Sequence, residues 1–160
     1  MKKITGNVIA ALAGAAAGAV GGSILAGKAL NKTDYQQLAN KHLAIMKLYD
    51  QWLQTKQEGK SMVEYFHQNH INSIAVYGMS FVGQRLYEEL KDSDITISYA
   101  VDKNAAGIYA DVDILTPDDD LPQTDAIVVT AVYFFNEIEE LLEEKTTAKI
   151  LSLEDILYEM

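Results

Sequence analysis

Residues Gly78 to Gly83 have the types and the spacing of a phosphate-binding turn. An apolar run over residues 74–77 ends at Gly78, the small residue Ser80 follows, and Gly83 lies in a segment with helical periodicity. A strand, a tight turn and a helix N-terminus in this order present free backbone N–H groups to an anion. Gly78 supplies the turn conformation, Ser80 lets a ligand approach, and Gly83 lets the helix lie close to the strand. Ser80 stands where the G-x-G-x-x-G pattern has its second glycine.

An acidic residue follows at the position that binds ribose in dinucleotide-binding proteins. Residues 95–101 are rich in β-branched and aromatic types, which predicts a second strand, and Asp102 comes directly after it. An acid about 20 residues past the glycines accepts hydrogen bonds from ribose hydroxyls. Turn, helix, strand and acid therefore agree on a Rossmann-like unit.

Further strand patterns, with helices between them, predict an α/β fold. Residues 126–132 form a continuous apolar run typical of a buried parallel strand, 112–114 a weaker pattern, and 149–152 a final strand. Helices are predicted over residues 136–145 and 153–158. This alternation predicts a single Rossmann-like parallel sheet of about five strands in the order 3-2-1-4-5, with right-handed crossovers.

A ligand crevice is expected between the first and fourth strands of this sheet, where the strand order reverses. A nucleotide-type small molecule is the expected ligand. The candidate ligand-binding residues are Gly78, Met79, Ser80, Phe81, Gly83, Asp102, Thr130 and Tyr133.

The net charge of −10 is unevenly distributed along the chain. Residues 1–60 contain eight lysines against three acids, whereas residues 61–160 contain five basic residues against twenty acidic ones. An acidic globular half repels nucleic-acid backbones, so no nucleic-acid partner is expected. The absence of cysteine excludes disulfides, thiol catalysis and cysteine–metal sites.

Residues 8–27 have the length and composition of a membrane-spanning helix. They carry no charge, and small residues recur at every fourth position, a pattern that lets two membrane helices approach closely. We predict a transmembrane anchor in residues 1–30; a cleaved signal peptide and a flexible or peripheral tail are the alternatives. Lysines after the segment outnumber Lys2 and Lys3, which favours a membrane-associated protein with its soluble domain on the cytoplasmic side.

Residues 31–60 predict an amphipathic linker or docking helix. Apolar and aromatic side chains recur at a three–four spacing. We expect this stripe to dock on the protein's own domain or on a second copy, as in a homo-oligomer. The stripe comprises Tyr35, Leu38, His42, Ile45, Tyr49 and Trp52, and it is widened by Leu43, Met46 and Leu53.

A short helix is predicted after this segment. Ser61 and Glu64 have the types and spacing of a capping box, and the helix is expected to run to about Gln68.

A second helix start is predicted at residues 116–120. Thr116 has the type of an N-cap residue, Pro117 suits the first helical position, and three aspartates follow in the first turn.

Several catalytic patterns are missing from the sequence. There is no P-loop, no G-x-S-x-G nucleophile and no zinc-binding helix motif. A hydride-transfer enzyme of ordinary design would also need a second domain to hold its substrate. We therefore predict no catalytic residues and no metal site, and an enzyme ranks third among the hypotheses.

Residues 74–90 (IAVYGMSFVGQRLYEEL), 99–102 (YAVD) and 125–130 (DAIVVT) resemble small Rossmann-like domains of bacterial surface-polysaccharide biosynthesis proteins. These include the N-terminal nucleotide-sugar-binding domain of sugar acetyltransferases. The resemblance covers about residues 61–160 and implies a nucleotide or nucleotide-sugar ligand, bound through Gly78, Ser80, Gly83 and Asp102. The catalytic β-helix of the acetyltransferases has no counterpart in this chain.

These observations predict three segments and two competing functions. Residues 61–160 form the nucleotide-binding domain, which follows the anchor and the docking helix. The first hypothesis is a membrane-tethered accessory or sensor module that binds a nucleotide-sugar or NAD in cell-envelope polysaccharide synthesis. The second is a ligand-free scaffold or oligomerisation protein with a degenerate Rossmann fold.

Overall fold

The computed structural model of the chain describes residues 32–108 and 110–160. The predicted anchor at residues 8–27 lies outside these ranges. Within them, no helix combines the length and the apolar character needed to cross a bilayer. Residues 41–160 form one compact unit, and residues 32–40 are assigned to a different one.

The sheet has five parallel strands in the order β3-β2-β1-β4-β5, as predicted. The central pairing runs from Ile74 opposite Ala126 to Tyr77 opposite Val129, so β1 and β4 end side by side. Their adjacent ends form the edge where the strand order reverses. The strands are β1 (Ser73–Tyr77), β2 (Thr96–Val101), β3 (Ile114–Leu115), β4 (Ala126–Val129) and β5 (Lys149–Ser152).

Five helices accompany the sheet in the described part of the chain. Two short 3-10 turns, Ala105–Gly107 and Val132–Phe134, follow β2 and β4. The helices are α1 (Lys32–Gln57), α2 (Met62–Gln68), α3 (Phe81–Leu90), α4 (Phe135–Glu143) and α5 (Leu153–Glu159).

Alternate residues of the central strands face two separate cores. Val76 and Val128 face the core that contains Leu86 of α3 and Ile156 of α5. The intervening strand residues, Tyr77 among them, face a smaller core on the side of α4. The strands therefore need apolar residues on both faces, which explains their continuous apolar runs.

The helix α1 packs on the first of these cores through its C-terminal half. Leu48 and Trp52 are buried, and the Trp52 Nε1 donates to Glu89 Oε2 of α3 at 2.8 Å. The predicted stripe is only partly correct, since Ile45 and Tyr49 are half-buried and the fully buried Leu48 was not included in it. Its remaining members are exposed: Tyr35, Leu38, His42, Leu43, Met46 and Leu53. The buried side instead continues through Thr55, which lies three residues after Trp52 and whose hydroxyl bonds the Trp52 carbonyl.

The predicted capping box at Ser61 is absent. The Ser61 hydroxyl makes no capping hydrogen bond, although its carbonyl accepts from the N–H of Tyr65 at 3.2 Å. The short helix α2 is held instead by burial of Met62 and Phe66. Tertiary packing therefore replaces the cap as the source of its stability.

The helix start predicted at residues 116–120 is also wrong. Both the N–H and the hydroxyl of Thr116 donate to Asp119 Oδ2, at 2.7 and 2.8 Å, and close a turn instead. Pro122 disfavours a helical backbone at the residue before it. Too few residues remain between Thr116 and Pro122 for a stable helix, so the aspartate closes a local turn.

Candidate functional site

The turn after β1 has the backbone geometry that the sequence predicts. Gly78 has a φ of +95°, a region open to glycine and strained for other residues. Its N–H donates to the Val101 carbonyl of β2 at 2.8 Å. Ser80 is the N-cap of α3 and has an extended backbone, but its hydroxyl makes no capping bond. The Ser80 hydroxyl is therefore available beside the first turn of the helix.

Gly83 lets α3 lie directly against the turn. A Cβ at this position would be 2.0 Å from the Gly78 carbonyl oxygen, far inside any permitted contact. The obstacle is backbone, which cannot rotate away as a side chain does. Gly83 thus has the packing role expected of the last glycine in the pattern.

Thr130 anchors the turn from β4. Its hydroxyl bonds the carbonyls of Gly78 at 2.6 Å and Tyr77 at 3.1 Å, and its own N–H bonds the Tyr77 carbonyl at 2.9 Å. The side chain is buried. Thr130 lies at the predicted crevice, but its hydroxyl already donates to backbone carbonyls and has no proton left for a ligand.

Asp102 joins the end of β2 to the same turn. Its Oδ2 accepts from the N–H of Met79 at 2.8 Å, and its Oδ1 accepts from the N–H of Asn104 at 2.8 Å. Each carboxylate oxygen has a second lone pair, so the group can still accept from a ligand hydroxyl. The Met79 side chain itself is buried in the core, and only its backbone belongs to the turn.

A cleft of about 420 Å³ opens at this edge of the sheet, within the size range of small-molecule sites. Tyr77, Gly78 and Ser80 line its base, and Asp102 and Lys103 line one side. The opposite side is mainly apolar and consists of Ala131, Phe134, Ile138 and Leu141, with Glu137 among them.

A second cation reaches the cleft from α1. Lys41 lines it, and the Lys41 Nζ lies 5.4 Å from the centroid of the Phe134 ring, within cation–π range. Two lysines, one from each half of the chain, therefore border the cleft.

Five predicted site residues lie outside the lining of this cleft: Met79, Phe81, Gly83, Thr130 and Tyr133. Phe81 is 82% exposed at the start of α3. Tyr133 is partly exposed and packs edge-to-face on Phe134, with ring centroids 5.1 Å apart. Gly78, Ser80 and Asp102 are the predicted residues that line the cleft.

Sequence reasoning missed several residues of the lining. Lys103 and Tyr77 directly adjoin predicted site residues, so their proximity was a usable signal. Phe134 likewise adjoins the predicted site residue Tyr133, whereas Lys41 is distant in sequence from the turn. Only the packing of α1 brings Lys41 to the cleft.

Other cavities are lined mainly by other elements, although one of them includes Met79 of the turn. One of about 480 Å³ is bounded by α3 residues and by Ala110 and Asp111, and one of about 390 Å³ by residues 143–147 with Leu121 and Gln123. Neither cavity combines the point where the strand order reverses, a helix N-terminus and an acidic residue at the end of a strand. In the ranges that the structure describes, no three histidine or acidic side chains are arranged to hold a metal ion.

No protein-family model matches the chain, and no curated protein or solved structure matches it. The geometry and chemistry of the cleft are therefore the basis for assigning a function.

Proposed function

We propose that the chain binds a nucleotide in the cleft at the carboxyl ends of β1, β2 and β4. The observation that supports this is the meeting of Gly78, Ser80 and Asp102 around one cleft beside the first turn of α3. In open α/β sheets, ligands bind where the strand order reverses. A nucleotide-sugar or NAD is the ligand class that this arrangement suits.

Each part of a nucleotide has a matching group in the proposed site. The first N–H groups of α3 lack intrahelical partners, and together with the Ser80 hydroxyl they suit a phosphate. Lys41 and Lys103 add positive charge at the border of the cleft. Asp102 accepts from ribose hydroxyls, and the apolar side formed by Phe134 and Ile138 accommodates the base.

The biological role that we propose is that of an accessory or sensor module in cell-envelope polysaccharide synthesis. It is supported by the resemblance of residues 74–90 to domains of such proteins. Residues 8–27 would tether the module to a membrane, with the nucleotide-binding domain on the cytoplasmic side. We propose binding without catalysis.

A thermal-shift measurement on the full-length chain tests the binding. NAD, UDP-sugars, CoA and ATP serve as probes. A ligand at 100 times its dissociation constant stabilises the folded state by about 2.7 kcal/mol. Absence of a shift with every probe would contradict the proposal.

Asp102→Asn should remove the ligand-dependent shift, because the carboxylate would contact the ribose. A suitable control is Asp125→Asn. Asp125 also accepts from two backbone N–H groups, those of Asn72 and Ser73, but at the opposite end of β1. Both variants replace a carboxylate that accepts from the backbone by a neutral amide, so only a ligand-binding role predicts that Asp102→Asn alone abolishes the shift.

The alternative function is a ligand-free scaffold that self-associates. It is favoured by the exposed side of α1, where Leu43, Met46 and Leu53 are 46%, 61% and 57% accessible. Sedimentation of the full-length chain and of a Met46→Gln/Leu53→Gln variant tests it. A dimer that the double variant dissociates would support the scaffold, whereas a monomer in both cases would contradict it.

A further inference from the structure

Tyr77 has an unusual position at the base of the cleft. It is the last residue of β1 and is only 4% exposed, yet it lines the cleft. Its ring packs in the core on the α4 side of the sheet. A large aromatic side chain therefore separates the core from the proposed ligand space.

The Tyr77 hydroxyl has no hydrogen-bond partner among the described residues. Its oxygen is nevertheless accessible, since no sealed side-chain oxygen or nitrogen in the described ranges lacks a partner. The polar end of this buried side chain is thus accessible, and Tyr77 is one of the residues that line the cleft.

The neighbouring buried tyrosine behaves differently. Tyr99, on β2, is 2% exposed, and its hydroxyl donates to the Pro122 carbonyl at 2.9 Å. Buried tyrosine hydroxyls usually find such a partner inside the protein. Tyr77 belongs to the same core, but its hydroxyl bonds none of the described residues, so it remains able to bond a ligand.

The charge around Tyr77 makes this hydroxyl a donor. Burial raises the pKa of the Tyr77 phenol, and the negative charges of Asp102 and Asp118 raise that pKa further. The group therefore keeps its proton at neutral pH. The cleft is also lined by Asp102, so it offers a hydroxyl that can donate and carboxylate oxygens that can accept, next to an apolar wall.

We propose that Tyr77 is a ligand-contacting residue that determines specificity, its hydroxyl donating a hydrogen bond to an acceptor atom of the bound nucleoside. This inference rests on the proposed function and names a contact within the same site. The ligand class is a nucleoside phosphate whose sugar hydroxyls donate to Asp102 and whose base or ring oxygen accepts from Tyr77. A ligand without such an acceptor would leave the phenol unpaired and bind more weakly.

The substitution Tyr77→Phe tests the inference, with Tyr99→Phe as its matched control. Both changes remove one hydroxyl from a buried tyrosine of the same core. In urea denaturation without ligand, Tyr77→Phe should unfold at the wild-type midpoint, because no protein hydrogen bond is lost. Tyr99→Phe should unfold at a lower urea concentration, because the Pro122 carbonyl loses its donor.

Calorimetric titration of the full-length proteins with UDP-N-acetylglucosamine and with NAD then measures the contact. For the probe that wild type binds, Tyr77→Phe should raise the dissociation constant by about 5- to 10-fold, which corresponds to the loss of one hydrogen bond. Tyr99→Phe should bind as wild type does. The tyrosine ultraviolet difference spectrum induced by the ligand should persist in Tyr99→Phe and disappear in Tyr77→Phe.

Three outcomes would overturn the inference, and they are distinguishable. Equal affinity of wild type and Tyr77→Phe would remove Tyr77 from the site and leave nucleotide binding intact. A midpoint of Tyr77→Phe as low as that of Tyr99→Phe would show that the hydroxyl has a structural partner. Failure of wild type to bind either probe would contradict binding of these ligands and, with it, this contact.

Discussion

Replacement of Gly83 by alanine should destabilise the protein and disorganise the candidate site. The added Cβ would lie 2.0 Å from the Gly78 carbonyl oxygen and 2.9 Å from its carbon. Since Cβ contacts under 3.0 Å are essentially never observed, α3 and the turn must separate by at least about 1 Å. The same carbonyl accepts the 2.6 Å hydrogen bond from Thr130, so the displacement strains that bond too.

The size of the effect follows from three contributions. Overpacking of this kind costs about 1–3 kcal/mol, and a weakened hydrogen bond adds about 0.5–1.5 kcal/mol. Alanine is a better helix former than glycine by about 1 kcal/mol, which offsets part of the loss. We expect a net decrease of about 1–3 kcal/mol in the free energy of unfolding of Gly83→Ala.

Urea denaturation followed by fluorescence of Trp52, the single tryptophan, measures this change. With a slope of about 1–3 kcal/mol per molar urea, the midpoint should fall by roughly 1 M. Gly59→Ala is the control, since Gly59 has a φ of +74° but no atom within 4 Å of an added Cβ. It should lose stability through backbone strain alone and retain nucleotide binding. A wild-type midpoint and unchanged binding in Gly83→Ala would refute the claim that close approach constrains the turn.

Two further predictions concern packing and pH. Trp52→Ala should lower the free energy of unfolding by about 3–5 kcal/mol, and Leu53→Ala by less than about 0.5 kcal/mol, because only Trp52 is buried; urea midpoints in the reverse order would contradict the packing of α1. The N–H groups of Asn72 and Ser73 donate to Asp125 and lower the pKa of its carboxyl below the ordinary 3.8. These hydrogen bonds therefore stabilise the folded protein fully above pH 3.8, and this contribution is lost as pH falls through the lower pKa of the folded state. As pH is lowered, the melting temperature of Asp125→Asn should therefore fall less steeply than that of wild type. Equal slopes of melting temperature against pH would contradict this role of Asp125.

Much of the fold could be predicted from the sequence because its signals are local. The apolar run that becomes β4 and the turn glycine Gly78 can each be recognised from the few residues around them. Parallel strands with helical crossovers then leave few possible strand orders. The order 3-2-1-4-5 followed from these constraints.

The errors arose where a local signal competed with a distant one. Thr116 and Pro117 resemble a helix start, but Pro122 and the side chain of Asp119 favour a turn. The wide stripe on α1 did not reveal which side is buried, because that depends on where Glu89 and the first core lie. Local patterns cannot rank such alternatives.

The sequence by itself determined the alternation of strands and helices, the glycine turn after β1 and the acid at the end of β2, because each depends on residues close together in the chain. Only the tertiary structure decided which side chains face the cleft. Packing directs the Thr130 hydroxyl to the Gly78 carbonyl and brings Lys41 to Phe134, and it gives the Tyr77 hydroxyl no hydrogen-bond partner among the described residues. Hydrogen-bond satisfaction depends on distances between residues far apart in sequence, and these exist only once the chain has folded.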